Sequence, residues 1–143
     1  MTRKKISKNG LEEIKVSVKV QLAMLWASNM FLYIYVDYFH LYMPNMIEDI
    51  RKGKVFVFDI TKGFLLAALA SMTIPALMIF LSVTLPAGIN RWLNIIIAAI
   101  FIPYTLFNLA GMAWVHMVFA AVVEVVLLSL IIRSAWKWPR IQN

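Results

Sequence analysis

Cysteine is absent, which excludes disulfide scaffolds, thiolate metal sites and cysteine nucleophiles. Charge is scarce too: 15% of the 143 residues are charged and only 7 are acidic. A soluble domain is typically about 25% charged and about 45–50% apolar. This chain is 62% hydrophobic, with a mean hydropathy of +0.79. Too few polar groups remain to cover a water-facing surface, which argues against a soluble enzyme and against a disordered chain. The five glycines (Gly10, Gly53, Gly63, Gly88 and Gly111) are too scattered to cradle a phosphate. No serine–histidine–acid set suggests a triad, no carboxylate pair shares one apolar stretch, and no row of arginines suggests voltage sensing. A hydrolase and a voltage-gated channel are therefore not supported, and no cofactor is implied.

What is present is long apolar sequence. A bilayer core of about 30 Å needs about 20 apolar residues in a helix. Four stretches meet that length, at about 16–36, 63–85, 92–111 and 114–132. Ala87-Gly88-Ile89-Asn90 reads as a short turn between the second and third, with Arg91 at the start of the third. Asn108 to Gly111 leads into the turn before the fourth. Short turns join antiparallel neighbours, so the expected fold is all-α: a polytopic four-helix transmembrane bundle in a single domain. The first run is too long for a signal peptide, and Tyr35-Val36-Asp37-Tyr38 offers no small-residue cleavage site.

Orientation follows from lysine and arginine. Arg3, Lys4, Lys5, Lys8, Lys15, Lys19, Arg91, Arg133, Lys137 and Arg140 share one side, against Arg51, Lys52, Lys54 and Lys62 on the other. Both termini, including the tail 1–15, are thus expected to be cytoplasmic in a multi-pass cell-membrane protein. Trp92, Trp136 and Trp138 fall at that interface and Trp114 at the opposite one, while Trp26 falls mid-span and needs an internal partner for its N–H. The formal charge of +7 then reads as topology and attraction to anionic membrane lipids. No basic face is left over for nucleic acid.

The outer segment 37–62 carries Asn45 and Glu48 in a capping-box-like spacing, with Gly53 as a helix stop. Val55 to Phe58 are apolar and β-prone before Asp59. The segment is either a strap on the membrane surface or an extended lid.

Glu124 is the most informative residue, an acid near the centre of the fourth run. An acid at that depth costs about 2.5–3.5 kcal/mol even on mild scales, so it should face protein or water. Ser28 and Asn29 in the first run, Ser71, Thr73 and Pro75 in the second, and Pro103 and Thr105 in the third lie at similar depth. The two prolines free the carbonyls of Ser71 and Ala99, to which Glu124 could donate, or it could donate to Asn29. Glu124, Asn29, Ser28, Ser71, Thr73 and Thr105 therefore make up a candidate polar ligand-binding layer. The alternative is that these groups only glue helices together. His40 and Asp37, one helical turn apart, and His116 are candidate metal or axial haem ligands, or else Asp37 and His40 form a local pair.

Leu25-Trp26-Ala27-Ser28, Tyr33-Ile34-Tyr35 with Asp37-Tyr38-Phe39, Ile74-Pro75-Ala76-Leu77, Asn90-Arg91-Trp92-Leu93-Asn94, Glu124 and Ala135-Trp136-Lys137-Trp138-Pro139 together resemble a family of small bacterial four-span membrane proteins of unknown function. The resemblance extends from about Lys19 to Pro139. The four-span plan is also similar to DoxX-like proteins in architecture alone, and the family brings no catalytic residues. Three functions stay open. One is binding or transport of a small apolar or protonatable ligand around Glu124. Another is a structural or assembly subunit, for which a homo-oligomer is one form. The third is a haem or quinone redox protein using His40 and His116.

Overall fold

The computed structural model describes residues 5–6, 12–110 and 113–139. Its helices are α1 (Val18–His40), α2 (Met46–Arg51), α3 (Lys62–Thr84), α4 (Ala87–Phe107) and α5 (Val115–Trp136). Two small antiparallel ladders complete it: β1 (Lys5–Ile6) with β2 (Glu12–Glu13), and β3 (Lys54–Val55) with β4 (Phe58–Asp59). The fold is all-α, and α3, α4 and α5 are long and apolar enough to cross a membrane. α1 is equally long, but Lys19, Gln21, Asn29 and Asp37 dilute its apolar character.

Buried positions recur at helical spacing of three and four residues, the stripe that a helix presents to its neighbours. In α1 they include Leu22, Trp26, Asn29 and Tyr33. In α5 they include Met117, Ala120, Ala121, Glu124, Leu128, Ile131 and Ala135. Small Ala120 and Ala121 on the buried face of α5 suit close helix packing. α4 packs along α5, α5 along α1, and α1 along α3. α3 and α4 touch far less, despite being joined directly. Outward faces carry residues such as Phe31, Leu66, Phe80 and Phe119, which is the surface an apolar solvent would meet.

Several boundaries differ from expectation, each for a local reason. Ser17 caps α1 by accepting from the Val20 N–H at 3.4 Å, and the helix continues through Asp37 to His40 rather than stopping at Val36. The α3–α4 turn is only Leu85-Pro86, and residues 87–90 are helical. Asn90 explains the difference. It reads as a turn residue, yet its amide is fully buried and donates to the Ser82 carbonyl at 2.7 Å and the Leu85 carbonyl at 3.4 Å. It thereby supplies partners that the end of α3 lacks. Lys19 joins in, its ammonium donating to the Leu85 carbonyl at 2.7 Å and the Val83 carbonyl at 3.3 Å. A cation there also opposes the negative end of the helix dipole. Lys19→Ala is expected to lower stability by about 1–2 kcal/mol, seen as a lower Tm in detergent.

α4 ends at Phe107, and α5 runs on to Trp136 rather than Ile132. The expected span end at Gly111 and the anchors Arg3, Lys4, Lys8 and Arg140 lie outside the described residues. At the Lys19 end, the Arg91 guanidinium lies over the Trp92 and Trp136 rings at 5.5 and 5.4 Å, a cation–π clasp between α4 and α5.

In the segment between α1 and α3, the short helix forms where expected, but not by the expected cap. Asn45 sits in the left-handed region at φ 65° and makes no side-chain cap bond, and Glu48 pairs instead with Lys52 at 2.9 Å. Gly53, at φ 80°, closes that helix as expected. Val55 to Phe58 form a tight hairpin, and its Phe56 ring stands edge-on to His40 at 5.3 Å.

Candidate functional site

Two polar clusters are enclosed between the helices. The first lies towards the Lys19 end. The Trp26 indole N–H donates to Asn94 Oδ1 at 2.7 Å, and the Ser82 hydroxyl donates to the same oxygen at 3.2 Å. The Asn94 amide donates to Asn90 Oδ1 at 2.7 Å and to the Asn90 carbonyl at 2.9 Å. These four residues, from α1, α3 and α4, are completely buried. Trp26 thus has the internal partner its depth requires, and the network satisfies its own donors.

The second cluster lies nearer mid-helix. The Tyr33 and Thr105 hydroxyls are 3.0 Å apart, joining α1 to α4. Glu124 is 4% exposed, faces the protein interior and lies beside the Thr105 hydroxyl. Asn29 lies beside Tyr33 and is fully buried. Neither its Nδ2 nor its Oδ1 has a hydrogen-bond partner among the described residues. Ser71 reaches the edge of the cluster through Tyr104, whose hydroxyl is 3.3 Å away. Three helices therefore bring Asn29, Tyr33, Thr105 and Glu124 together. A buried amide with an idle donor and an idle acceptor can hold a molecule that offers both, and the acid and two hydroxyls can bind or relay a proton.

Two expected members are elsewhere. Ser28 is exposed and donates to the Met24 carbonyl at 2.9 Å, and Thr73 is exposed and donates to the Leu69 carbonyl at 2.8 Å. A hydroxyl can satisfy itself on its own helix four residues back, so neither needs the interior. Pro75 faces inward while Pro103 faces outward, so the two proline sites are not equivalent. Among the described residues no side-chain bond joins Glu124 to Asn29, or reaches the carbonyls of Ser71 or Ala99. Asn90, Asn94, Tyr33 and Tyr104 were not expected members. The i, i+4 pair Asn90 and Asn94, in a segment too apolar for a loop, was the available signal.

At the opposite end, His40 on α1 and His116 on α5 meet with ring centroids 6.1 Å apart. His40 bonds through Nδ1 to the Val36 carbonyl at 3.0 Å rather than to Asp37. Among the described residues no group of three or more histidines and acids lies close enough to hold a metal ion. Nearby, the Tyr38 and Tyr42 hydroxyls are 2.6 Å apart, and that bond pushes the Tyr42 pKa up from its ordinary value by holding its proton.

Fold and site together define a helical protein consistent with membrane residence, with two polar clusters enclosed between its helices and many apolar side chains on its outer faces. The chain belongs to a family of unknown function, DUF6326, whose family model matches residues 11–142. No curated protein and no solved structure matches the chain.

Proposed function

We propose that this is an integral membrane protein that binds, and in binding helps to move, a small protonatable ligand at mid-depth, between Asn29, Tyr33, Thr105 and Glu124. In this reading α1 crosses the bilayer with α3, α4 and α5. The chain is then a four-span bundle with both termini cytoplasmic and lipid around its apolar faces. The supporting observation is the Asn29 amide, fully buried with no hydrogen-bond partner among the described residues. A stranded buried amide costs about 1–3 kcal/mol, which a ligand supplying a donor and an acceptor would recover. Glu124, within the same cluster, gives that ligand a group with which to exchange a proton.

Native mass spectrometry of the full chain released from mild detergent tests this reading. A small molecule is expected to accompany the wild-type protein and to be lost, with folding intact, from Glu124→Gln. An unaccompanied wild-type chain, or a Glu124→Gln variant that keeps the ligand, would favour the second reading, a structural or assembly subunit. That reading draws on the Trp26–Asn94–Asn90–Ser82 network, whose donors are satisfied and which needs no ligand.

A further inference from the structure

We infer that the His40 end of the helices binds a monovalent soft metal ion, copper(I) in chemical class, through His40 Nε2 and His116 Nε2, with the Met43 thioether completing the donor set. The site is separate from the Glu124 cluster and does not depend on it.

A backbone carbonyl can only accept, so the 3.0 Å contact between His40 Nδ1 and the Val36 oxygen places the proton on Nδ1. Nε2 is left with a bare lone pair. It is shut away from solvent and has no partner among the described residues; His116 Nε2 is likewise buried and unpartnered among them. An Nδ1–H held by a carbonyl, with Nε2 free, is the arrangement that orients a histidine for metal binding. With metal–imidazole bonds of about 2.0 Å, two rings on opposite sides of one ion have centroids about 6 Å apart. The observed separation is 6.1 Å.

The neighbours decide which metal. A divalent ion such as zinc needs four ligands, and the described residues offer no third histidine or acid within reach. They do offer sulfur. Met43 lies one turn beyond His40, its N–H bonded to the His40 carbonyl at 3.1 Å. Met117 follows His116 directly, and Met43, Met46 and Met117 form one buried cluster. Imidazole and thioether are neutral donors, and thioethers select copper(I). A single positive charge on neutral ligands also needs less desolvation than a double one. Phe56, packed edge-on to His40, holds its backbone in the left-handed region at φ 54°, where a bulky residue is strained. Such strain gathers at binding sites.

The test uses the full chain in detergent, with copper(I) titrated anaerobically against bicinchoninate. Expected is a single ion per chain. His40→Ala and His116→Ala should each weaken binding more than about 100-fold, beyond the loss caused by removing an outer-shell partner. Met43→Leu should weaken copper(I) binding while leaving the fold intact. Because an alanine variant could unfold, nitrogen NMR of the wild-type imidazoles with silver(I) gives a second measure: both Nε2 signals should move and the His40 Nδ1–H should persist. No binding above that of the double-alanine variant, zinc(II) bound as tightly as copper(I), an unmoved Nε2, or a Soret band in the purified protein would each overturn the assignment.

Discussion

Asn94→Ala is expected to remove about 2–4 kcal/mol of stability, the largest loss from any single polar truncation in this chain. Asn94 accepts from Trp26 and Ser82 and donates twice to Asn90, so one side chain ties α1, α3 and α4 together. Its loss strands the Trp26 N–H in a fully buried position. A stranded donor costs about 1–3 kcal/mol, and the unfilled amide volume adds a cavity cost. The opposing consideration is that hydrogen bonds between membrane helices average only about 0.6 kcal/mol, because the unfolded chain in lipid finds other partners. Four bonds lost at once still exceed that average. Trp26→Phe is the control. It removes one donor and leaves Asn94 bonded to Ser82 and Asn90, so its hydrogen-bonding loss should be about 1 kcal/mol. Unfolding in mixed micelles, followed by circular dichroism, compares the two. A loss below about 0.6 kcal/mol for Asn94→Ala would mean that water replaces the amide and that the network is not a clamp.

The sequence made the apolar runs, the helical class and the inward position of Glu124 legible, because each follows from hydropathy or from the cost of an acid in lipid. It misplaced the α3–α4 turn because asparagine and glycine ordinarily signal turns. Only the coordinates show Asn90 turned back onto the carbonyls at the end of α3. Ser28 and Thr73 lie away from the enclosed cluster for a related reason. Depth in a span says nothing about which face a residue occupies, and a hydroxyl is satisfied on either face. Tyr33, an aromatic within an apolar run, reads as packing until its hydroxyl is found 3.0 Å from Thr105. The meeting of His40 with His116 depends on α1 packing against α5, a long-range fact that local spacing does not contain.

Asn29→Leu should move stability the other way, by about 1–3 kcal/mol in favour of the ligand-free protein. The sign follows from the idle amide. Wild type buries a donor and an acceptor that bond to nothing among the described residues, and a branched apolar side chain removes both. Leucine is larger, and overpacking would cost about 1–3 kcal/mol in the opposite direction, so Asn29→Ala accompanies it. Overpacking penalises leucine and an unfilled cavity penalises alanine, whereas loss of a satisfied amide penalises both variants in addition. If both prove less stable than wild type by more than these packing costs, the native amide is occupied by a ligand or an ordered water. A bound ligand present at 100 times its Kd would add about 2.7 kcal/mol to wild type and nothing to either variant. Delipidated and native-lipid preparations then separate the cases. A stabilising effect of Asn29→Leu that disappears or reverses when native small molecules are retained places the ligand at Asn29. Combining Asn29→Leu with Glu124→Gln completes the argument, because two residues that hold the same molecule should show effects that fail to add, and two that merely line the same interior should not.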